Sequence, residues 1–142
     1  MIHIVINKTH LERFRSLQKK SYESNGQIKV DEHGKIVEIT DRPGQIMKPC
    51  KQSCILNYHT HPSDYSNLYP DHPSPTDMKY IFSATCTYKE LGSHLIFTPK
   101  FIYVLRYKCS NPFTNILNLF TMKYKIDKAF NKLQILNRST EE

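Results

Sequence analysis

The sequence predicts one domain of the α/β (α+β) class, a mixed β-sheet flanked by helices, and three observations lead to that prediction. Short apolar runs rich in β-branched and aromatic residues are separated by stretches of helical periodicity. The length of 142 residues suits a single domain over 1–142. A hydrophobic fraction of 39% beside 23% charged residues is typical of a globular protein with one packed core.

The first part of the chain is expected to form a strand, a helix and a hairpin. Thr9 and Glu12 have the spacing of a capping box, which predicts that a helix begins there. Gly34 can take the positive φ of a tight turn, so the segments on either side of it are expected to pair. The predicted elements are a strand over Ile2–Ile6, a helix from Thr9 to about Lys20, and strands over Gln27–Val30 and Lys35–Ile39.

The second part is expected to alternate strands with helices. Ser74 followed by Pro75 is typical of a helix start, because serine is a good N-cap and proline suits the first helical position. After about Phe113, apolar residues recur every three to four positions as far as Leu133, which predicts one long or two abutting helices. The other predicted elements are a buried strand over Cys54–Tyr58, a helix from Ser74 to about Cys86, and central strands over His94–Phe97 and Phe101–Leu105.

A histidine pair follows the predicted strand that ends near Tyr58. Residues i and i+2 of a strand point to the same face, so His59 and His61 are expected to project side by side. Two imidazoles can each offer a nitrogen to one zinc at about 2.0–2.1 Å, and a carboxylate such as Asp77 is a common third ligand. Either motif alone has an ordinary interpretation, since Ser-x-x-Asp caps many helices and His-x-His is often a plain polar pair. Their combination predicts a metal site.

At these residues the chain resembles the JAMM (MPN+) metalloprotease family. The signature of that family is a distant glutamate followed by His-(Ser/Thr)-His-Pro and then Ser-x-x-Asp. The resemblance implies a JAB1/MPN (cytidine-deaminase-like) fold, a curved sheet with packed helices and zinc at one edge. The matching positions are His59, Thr60, His61, Pro62, Ser74 and Asp77.

The resemblance also implies a role for each residue of the site. His59, His61 and Asp77 would bind Zn²⁺, the Ser74 hydroxyl would stabilise the oxyanion, and a glutamate would activate the water. Glu23 is the candidate for that glutamate, because Glu-Ser-Asn-Gly opens a strand-like segment. The implied reaction is removal of ubiquitin or a ubiquitin-like protein from conjugates, with a peptidase of the phage-tail or cell-wall type as an alternative. Eleven residues separate the motif proline from the motif serine, more than is usual, which suggests an altered substrate groove.

Other residues could take parts of these roles. Asp71 and His72 lie near the predicted helix start and could replace a ligand, although the Ser-x-x-Asp spacing favours Asp77. Asp64 lies in the intervening loop and is expected to be a solvated turn residue. If Glu23 is not the base, the next candidates are Glu12, Glu32 and Glu38.

The four cysteines allow a second metal site but favour another interpretation. Cys50 and Cys54 are three residues apart, and Cys86, Cys109 or His94 could complete a site with them. That spacing is looser than a zinc knuckle, and no second close pair follows. Buried free thiols in a reducing compartment are therefore expected.

The formal net charge of +7 raises a different class of function. A basic binding module or scaffold for protein or nucleic acid is one alternative to the enzyme, but the basic residues are dispersed and form no recognisable nucleic-acid module. No apolar run approaches the about 20 residues that cross a bilayer, and the first residues lack the features of a signal peptide. We therefore expect an intracellular protein, cytoplasmic or else nuclear or virion-associated. The basic clusters are Arg13–Lys20, Lys48–Lys51 and Lys123–Lys132.

Overall fold

The computed structural model describes residues 2–43, 55–64, 68–82, 93–107, 119–126 and 132–137. Within these residues the chain is of mixed α+β composition, which agrees with the predicted class. The elements in chain order are β1 (Ile2–Asn7), α1 (Lys8–Gln18), β2 (Ser24–Val30), β3 (Ile36–Ile39), β4 (Arg42–Pro43), β5 (Ile55–Thr60), α2 (Pro75–Phe82), β6 (His94–Phe97), β7 (Phe101–Tyr107), β8 (Leu119–Lys125) and β9 (Lys132–Asn137).

A mixed sheet forms the centre of the described structure. Six of its strands follow the order β3-β2-β5-β6-β7-β8, and β4 pairs beside them with β2. The β5–β6 pair is parallel, and the remaining pairs are antiparallel. A separate two-stranded antiparallel sheet joins β1 to β9. The parallel pair requires a crossover, and α2 lies in the chain between β5 and β6.

The two helices pack on opposite faces of the central sheet. Leu11, Phe14 and Leu17 of α1 join a buried cluster with alternate residues of the strands, and Phe14 stacks on Phe97 with ring centroids 3.9 Å apart. Ile81 of α2 joins a second buried cluster with Ile96 and with residues of β7. Because successive strand residues face opposite sides, the odd-numbered residues of β5 face α2. His59 belongs to that set, and His61 follows directly after β5 with the same alternation.

The start of α1 differs from the prediction. Asn7, not Thr9, is the N-cap, and its side chain accepts a hydrogen bond of 3.0 Å from the backbone N–H of His10. His10, not Glu12, completes the capping box, because its Nδ1 accepts from the backbone N–H of Asn7 at 3.3 Å. Asparagine is a stronger N-cap than threonine, so the helix begins directly where β1 ends. The helix ends at Gln18, close to the predicted end.

The hairpin of β2 and β3 is present at the predicted place. Gly34 has a φ of 81°, the left-handed conformation that favours glycine. The Asp31 carboxylate accepts hydrogen bonds of 2.9 Å from the backbone N–H groups of His33 and Lys35. These bonds satisfy turn donors that the strand ladder leaves free.

The C-terminal helices predicted between Phe113 and Leu133 are wrong where the structure describes them. Leu119–Lys125 is strand β8 and pairs with β7, and the next described segment, β9, pairs with β1. Lys123 and Lys125 are exposed while Tyr124 and Ile126 pack on the core, which is the two-residue alternation of a strand. Tyr124 and Ile126, which fit a helical period, therefore also fit a strand. Pairing with β7 favours the strand over the helix in this segment.

The remaining predictions are met in part. The predicted strands near residues 2, 94 and 101 are present as β1, β6 and β7. The Cys54 strand is described from Ile55 and continues to Thr60, and the Ser74 helix is described as far as Phe82. All four cysteines, the basic segment Lys48–Lys51 and residues 138–142 lie outside the described residues. Neither described helix has the length and apolar character needed to cross a membrane.

Candidate metal centre

The end of β5 places two histidine side chains in a buried position. His59 lies within the strand, and His61 continues it, because the His61 backbone N–H donates to the Phe97 carbonyl at 2.8 Å. The same carbonyl accepts a bond of 2.9 Å from the buried side chain of Gln18. The exposed fractions of His59 and His61 are only 2% and 0%. A buried imidazole pair is costly unless its nitrogens have partners.

The first turn of α2 brings a carboxylate to these histidines. Ser74 and Asp77 form a reciprocal cap, in which the Asp77 N–H donates to Ser74 Oγ at 3.1 Å and the Ser74 N–H donates to Asp77 Oδ2 at 2.8 Å. The Ser74 carbonyl accepts from the Met78 N–H at 3.1 Å, which is the first helical hydrogen bond. This cap holds the Asp77 carboxylate in one orientation.

Three donor groups then meet at one point. His59 Nε2 and His61 Nε2 are 3.2 Å apart, and each lies 3.2 Å from one Asp77 oxygen, Oδ1 for His59 and Oδ2 for His61. Ligand atoms around a tetrahedral zinc at about 2.0–2.1 Å are separated by about 3.3 Å, so the observed spacing fits a metal ion. Two imidazoles and one carboxylate are also a usual donor set of catalytic zinc sites. The residues present therefore fit such an ion.

Glu23 lies beside this group because of the strand register. Asn25 pairs with His59 in the antiparallel β2–β5 ladder, so two residues further along Glu23 comes opposite His61 on the same face. Its Oε1 is 3.9 Å from His61 Nε2, and its side chain is 11% exposed. Ligand atoms of Glu23, His59 and His61 all lie within 4.8 Å of one another, so these three could also hold a metal. The Asp77 oxygens are nearer to the imidazoles and are the better third donor.

The electrostatics of the site favour a bound cation. Burial opposes ionisation of Asp77, but its close contacts with the His59 and His61 rings outweigh burial and hold the pKa of Asp77 far below its usual range. Burial also acts to lower the pKa of His61, yet the hydrogen bond and charge of Asp77 and the charge of Glu23 raise that pKa overall. A proton on His61 and a metal ion are therefore drawn to the same negative charges.

A third imidazole, which sequence reasoning did not assign to this site, contacts His59 from the opposite side. His94 Nε2 is 2.8 Å from His59 Nδ1, and the His94 residue is completely buried. Burial, and then the charge of His59, lower the pKa of His94 well below its usual value. The signal in the sequence was a histidine at the start of the apolar run His94–Phe97.

The residues considered as alternative ligands or bases make contacts elsewhere in the structure. The Asp71 carboxylate is 3.8 Å from the Lys100 amine, and its backbone carbonyl accepts from the Tyr103 hydroxyl at 2.9 Å. His72 Nδ1 is 3.1 Å from the neighbouring Pro73 carbonyl, and the residue is exposed. Among the alternative bases, Glu38 is 3.2 Å from the Lys29 amine on the hairpin. These contacts direct Asp71, His72 and Glu38 away from the His59–His61 pair.

The segment after the histidines is attached to the end of α1. The Ser63 backbone N–H and hydroxyl both contact the Gln18 carbonyl, at 2.8 and 3.0 Å. Together with the bond from the Gln18 side chain to Phe97, these contacts hold the chain direction just after His61. Further along the same loop, Leu68 is 91% exposed. The loop thus begins in a fixed position and presents an apolar side chain to solvent.

Comparison of the chain with protein-family models, with curated proteins and with solved structures found no match. The assignment of a function therefore depends on the chemistry of the site itself.

Proposed function

We propose that this protein is a zinc-dependent isopeptidase or peptidase of the JAMM (MPN+) type, with a JAB1/MPN-like arrangement of its sheet and helices. The observation that carries the proposal is the meeting of His59, His61 and Asp77 at mutual distances of 3.2 Å, with Glu23 beside them. His59 and Asp77 are eighteen positions apart in the sequence, yet their facing atoms are 3.2 Å apart.

His59, His61 and Asp77 are the proposed zinc ligands. When bound there, zinc supplies a Lewis acid that lowers the pKa of water and polarises a substrate carbonyl. The protein contributes a preformed donor set: the sheet positions the imidazoles and the helix cap positions the carboxylate. Such preorganisation reduces the rearrangement needed when the metal binds.

Glu23 is the proposed proton carrier. Its carboxylate accepts a proton from the attacking water and returns it to the leaving amine nitrogen as the C–N bond breaks, so that the products are an amine and a carboxylic acid, which then releases its own proton to solvent. The position of Glu23 opposite His61 in the register, with Oε1 3.9 Å from His61 Nε2, supports a role beside the proposed ligands. The Ser74 hydroxyl keeps its hydrogen free of the two cap bonds and is the proposed donor to the oxyanion.

The proposed substrate is a conjugate of ubiquitin or a ubiquitin-like protein. An isopeptide bond formed with such a protein lies at the end of an extended tail, which can approach a site at the end of a strand. Leu68, which is 91% exposed in the loop between the two motifs, offers an apolar contact to a protein substrate.

A glutamine substitution tests this function. Glu23→Gln should retain the fold and the zinc but lower kcat/KM on a ubiquitin-like isopeptide substrate by about 10²- to 10⁴-fold, because an amide cannot accept the proton. Glu38→Gln is the matched control, since it makes the same change on a half-exposed side chain paired with Lys29. The panel should include ubiquitin chains, ubiquitin-like fusions and cell-wall peptides.

The outcomes of this panel separate the alternatives. Hydrolysis of cell-wall peptides alone would assign the site to that substrate class. Full activity in Glu23→Gln would place the base elsewhere. A wild-type protein that binds zinc and cleaves no member of the panel would contradict the enzymatic proposal.

A further inference from the structure

The buried contact between His94 and His59 has a chemical consequence for the metal centre. His94 begins β6, the strand parallel to β5, and its ring lies under Tyr80 of α2 with ring centroids 6.1 Å apart. His94 and His59 are both buried, and their facing nitrogens are 2.8 Å apart. This is a hydrogen bond between two imidazoles, in which one nitrogen carries the hydrogen and the other accepts it.

The tautomer of His59 depends on the direction of this bond. To offer Nε2 to a metal, a neutral His59 must carry its hydrogen on Nδ1. That hydrogen can be donated only to an unprotonated Nε2 of His94, and the His94 hydrogen then lies on Nδ1. In the opposite arrangement His94 donates, and His59 is left with a hydrogen on Nε2, facing Asp77 Oδ1 at 3.2 Å. That second form is closed to a metal.

We infer that His94 is a positioning residue of the metal centre: by accepting the Nδ1 hydrogen of His59, it holds that ring in the tautomer and orientation that bind the ion. The inference rests on the proposed metal site. Metal-bound histidines usually donate their second nitrogen to a carboxylate, a backbone carbonyl or water. An imidazole acceptor performs the same task here without adding a third negative charge beside Asp77 and Glu23.

The two ligand histidines differ in this respect. His61 Nδ1 is buried and has no side-chain partner among the described residues, and the other hydrogen bond of the His61 ring is to the Tyr69 backbone. His59 alone of the pair is held on both nitrogens by side chains, Asp77 on one side and His94 on the other. Loss of the His94 ring should therefore affect the metal through His59.

Zinc affinity measured by competition with a chromophoric chelator tests the inference. His94→Leu should weaken zinc binding by about 10- to 100-fold, the usual effect of removing a residue that orients a ligand. His94→Gln, which keeps an acceptor, should recover part of that loss. Ile96→Val is the matched control on the same face of β6, and it should lower the melting temperature while leaving the zinc affinity unchanged.

A spectroscopic measurement separates positioning from general stability. In the zinc-loaded wild type, ¹⁵N NMR of the histidine rings should show a hydrogen-bonded proton on His59 Nδ1, and His94→Leu should remove that hydrogen bond. Equal zinc affinity and an unchanged His59 signal in His94→Leu would overturn the inference while leaving the metal site intact.

The wild-type protein provides two further decisive results. Should His94→Leu fail to fold, a zinc-loaded wild-type spectrum without a proton on His59 Nδ1 would still overturn the inference. A wild type that binds no zinc would remove the proposed metal site together with the inference, so the two failures give different results.

Discussion

The cap of α2 and the metal centre share Asp77, and their contributions can be separated experimentally. Asp77 Oδ1 faces His59, while Oδ2 faces His61 and also accepts from the Ser74 N–H. In Asp77→Asn one oxygen becomes an NH₂ group. In one orientation of the amide this group faces the His59 nitrogen, and in the other it faces the His61 nitrogen and the Ser74 N–H. Ser74→Ala removes the other half of the cap and leaves all three donor groups in place.

The magnitudes follow from these contacts. Binding of structural zinc is worth about 10–16 kcal/mol over four ligands, or about 2.5–4 kcal/mol for each. Asp77→Asn should therefore weaken zinc binding by about 10²- to 10³-fold, since each 1.4 kcal/mol is about tenfold. Ser74→Ala should leave zinc affinity nearly unchanged but cost about 1 kcal/mol of folding free energy, the usual loss for an N-cap serine. That loss corresponds to a melting temperature lower by about 3 °C.

Two measurements on the same preparations decide the matter: chelator competition for zinc, and thermal unfolding of the zinc-free proteins. The expected result is a crossed pattern, in which Asp77→Asn loses metal and Ser74→Ala loses stability. If Ser74→Ala lost as much zinc as Asp77→Asn, the cap and the ligand could not be separate functions of the helix start. If Asp77→Asn kept wild-type affinity, Asp77 would not be a ligand and Glu23 would be the third donor.

Two further predictions concern the sheet around the site. Gly26→Ala should destabilise the protein by about 1–3 kcal/mol, because the new Cβ would overlap the Thr40 carbonyl. The control Val37→Ala, at a 63% exposed position, should change the denaturation midpoint little. Equal denaturation midpoints for the two variants would contradict the packing argument. Asp31 should titrate below its usual value of 3.8 in carboxyl NMR, because backbone hydrogen bonds from Lys35 and His33 favour its charged form. The stability that Asp31 contributes is present above its pKa in the unfolded chain and is lost as pH falls through its lower pKa in the folded protein. A titration midpoint of Asp31 at or above 3.8 would contradict its hydrogen-bonded position in the turn.

The sequence by itself determined the features that depend only on residues close together in the chain. The i, i+2 spacing put His59 and His61 on one face because a strand alternates. The Ser-Pro-Thr-Asp order placed Ser74 and Asp77 in reciprocal hydrogen bonds because a helix start leaves its N–H groups unpaired. Gly34 marked the hairpin because only glycine readily takes its φ. In each case the physical cause lies within a few residues of the chain.

Pairing across the sheet decided the rest. Leu119–Lys125 is a strand because β7 offers it hydrogen-bond partners, although its apolar spacing also suited a helix. Glu23 reaches the histidines through the β2–β5 register, and His94 reaches His59 through the parallel β5–β6 pair. A register is a relation between distant segments: local periodicity predicts which face of the sheet a residue takes, but not which residue of another strand lies opposite it. The motif therefore predicted the proposed ligands, and only the assembled sheet revealed the residue that we propose orients one of them.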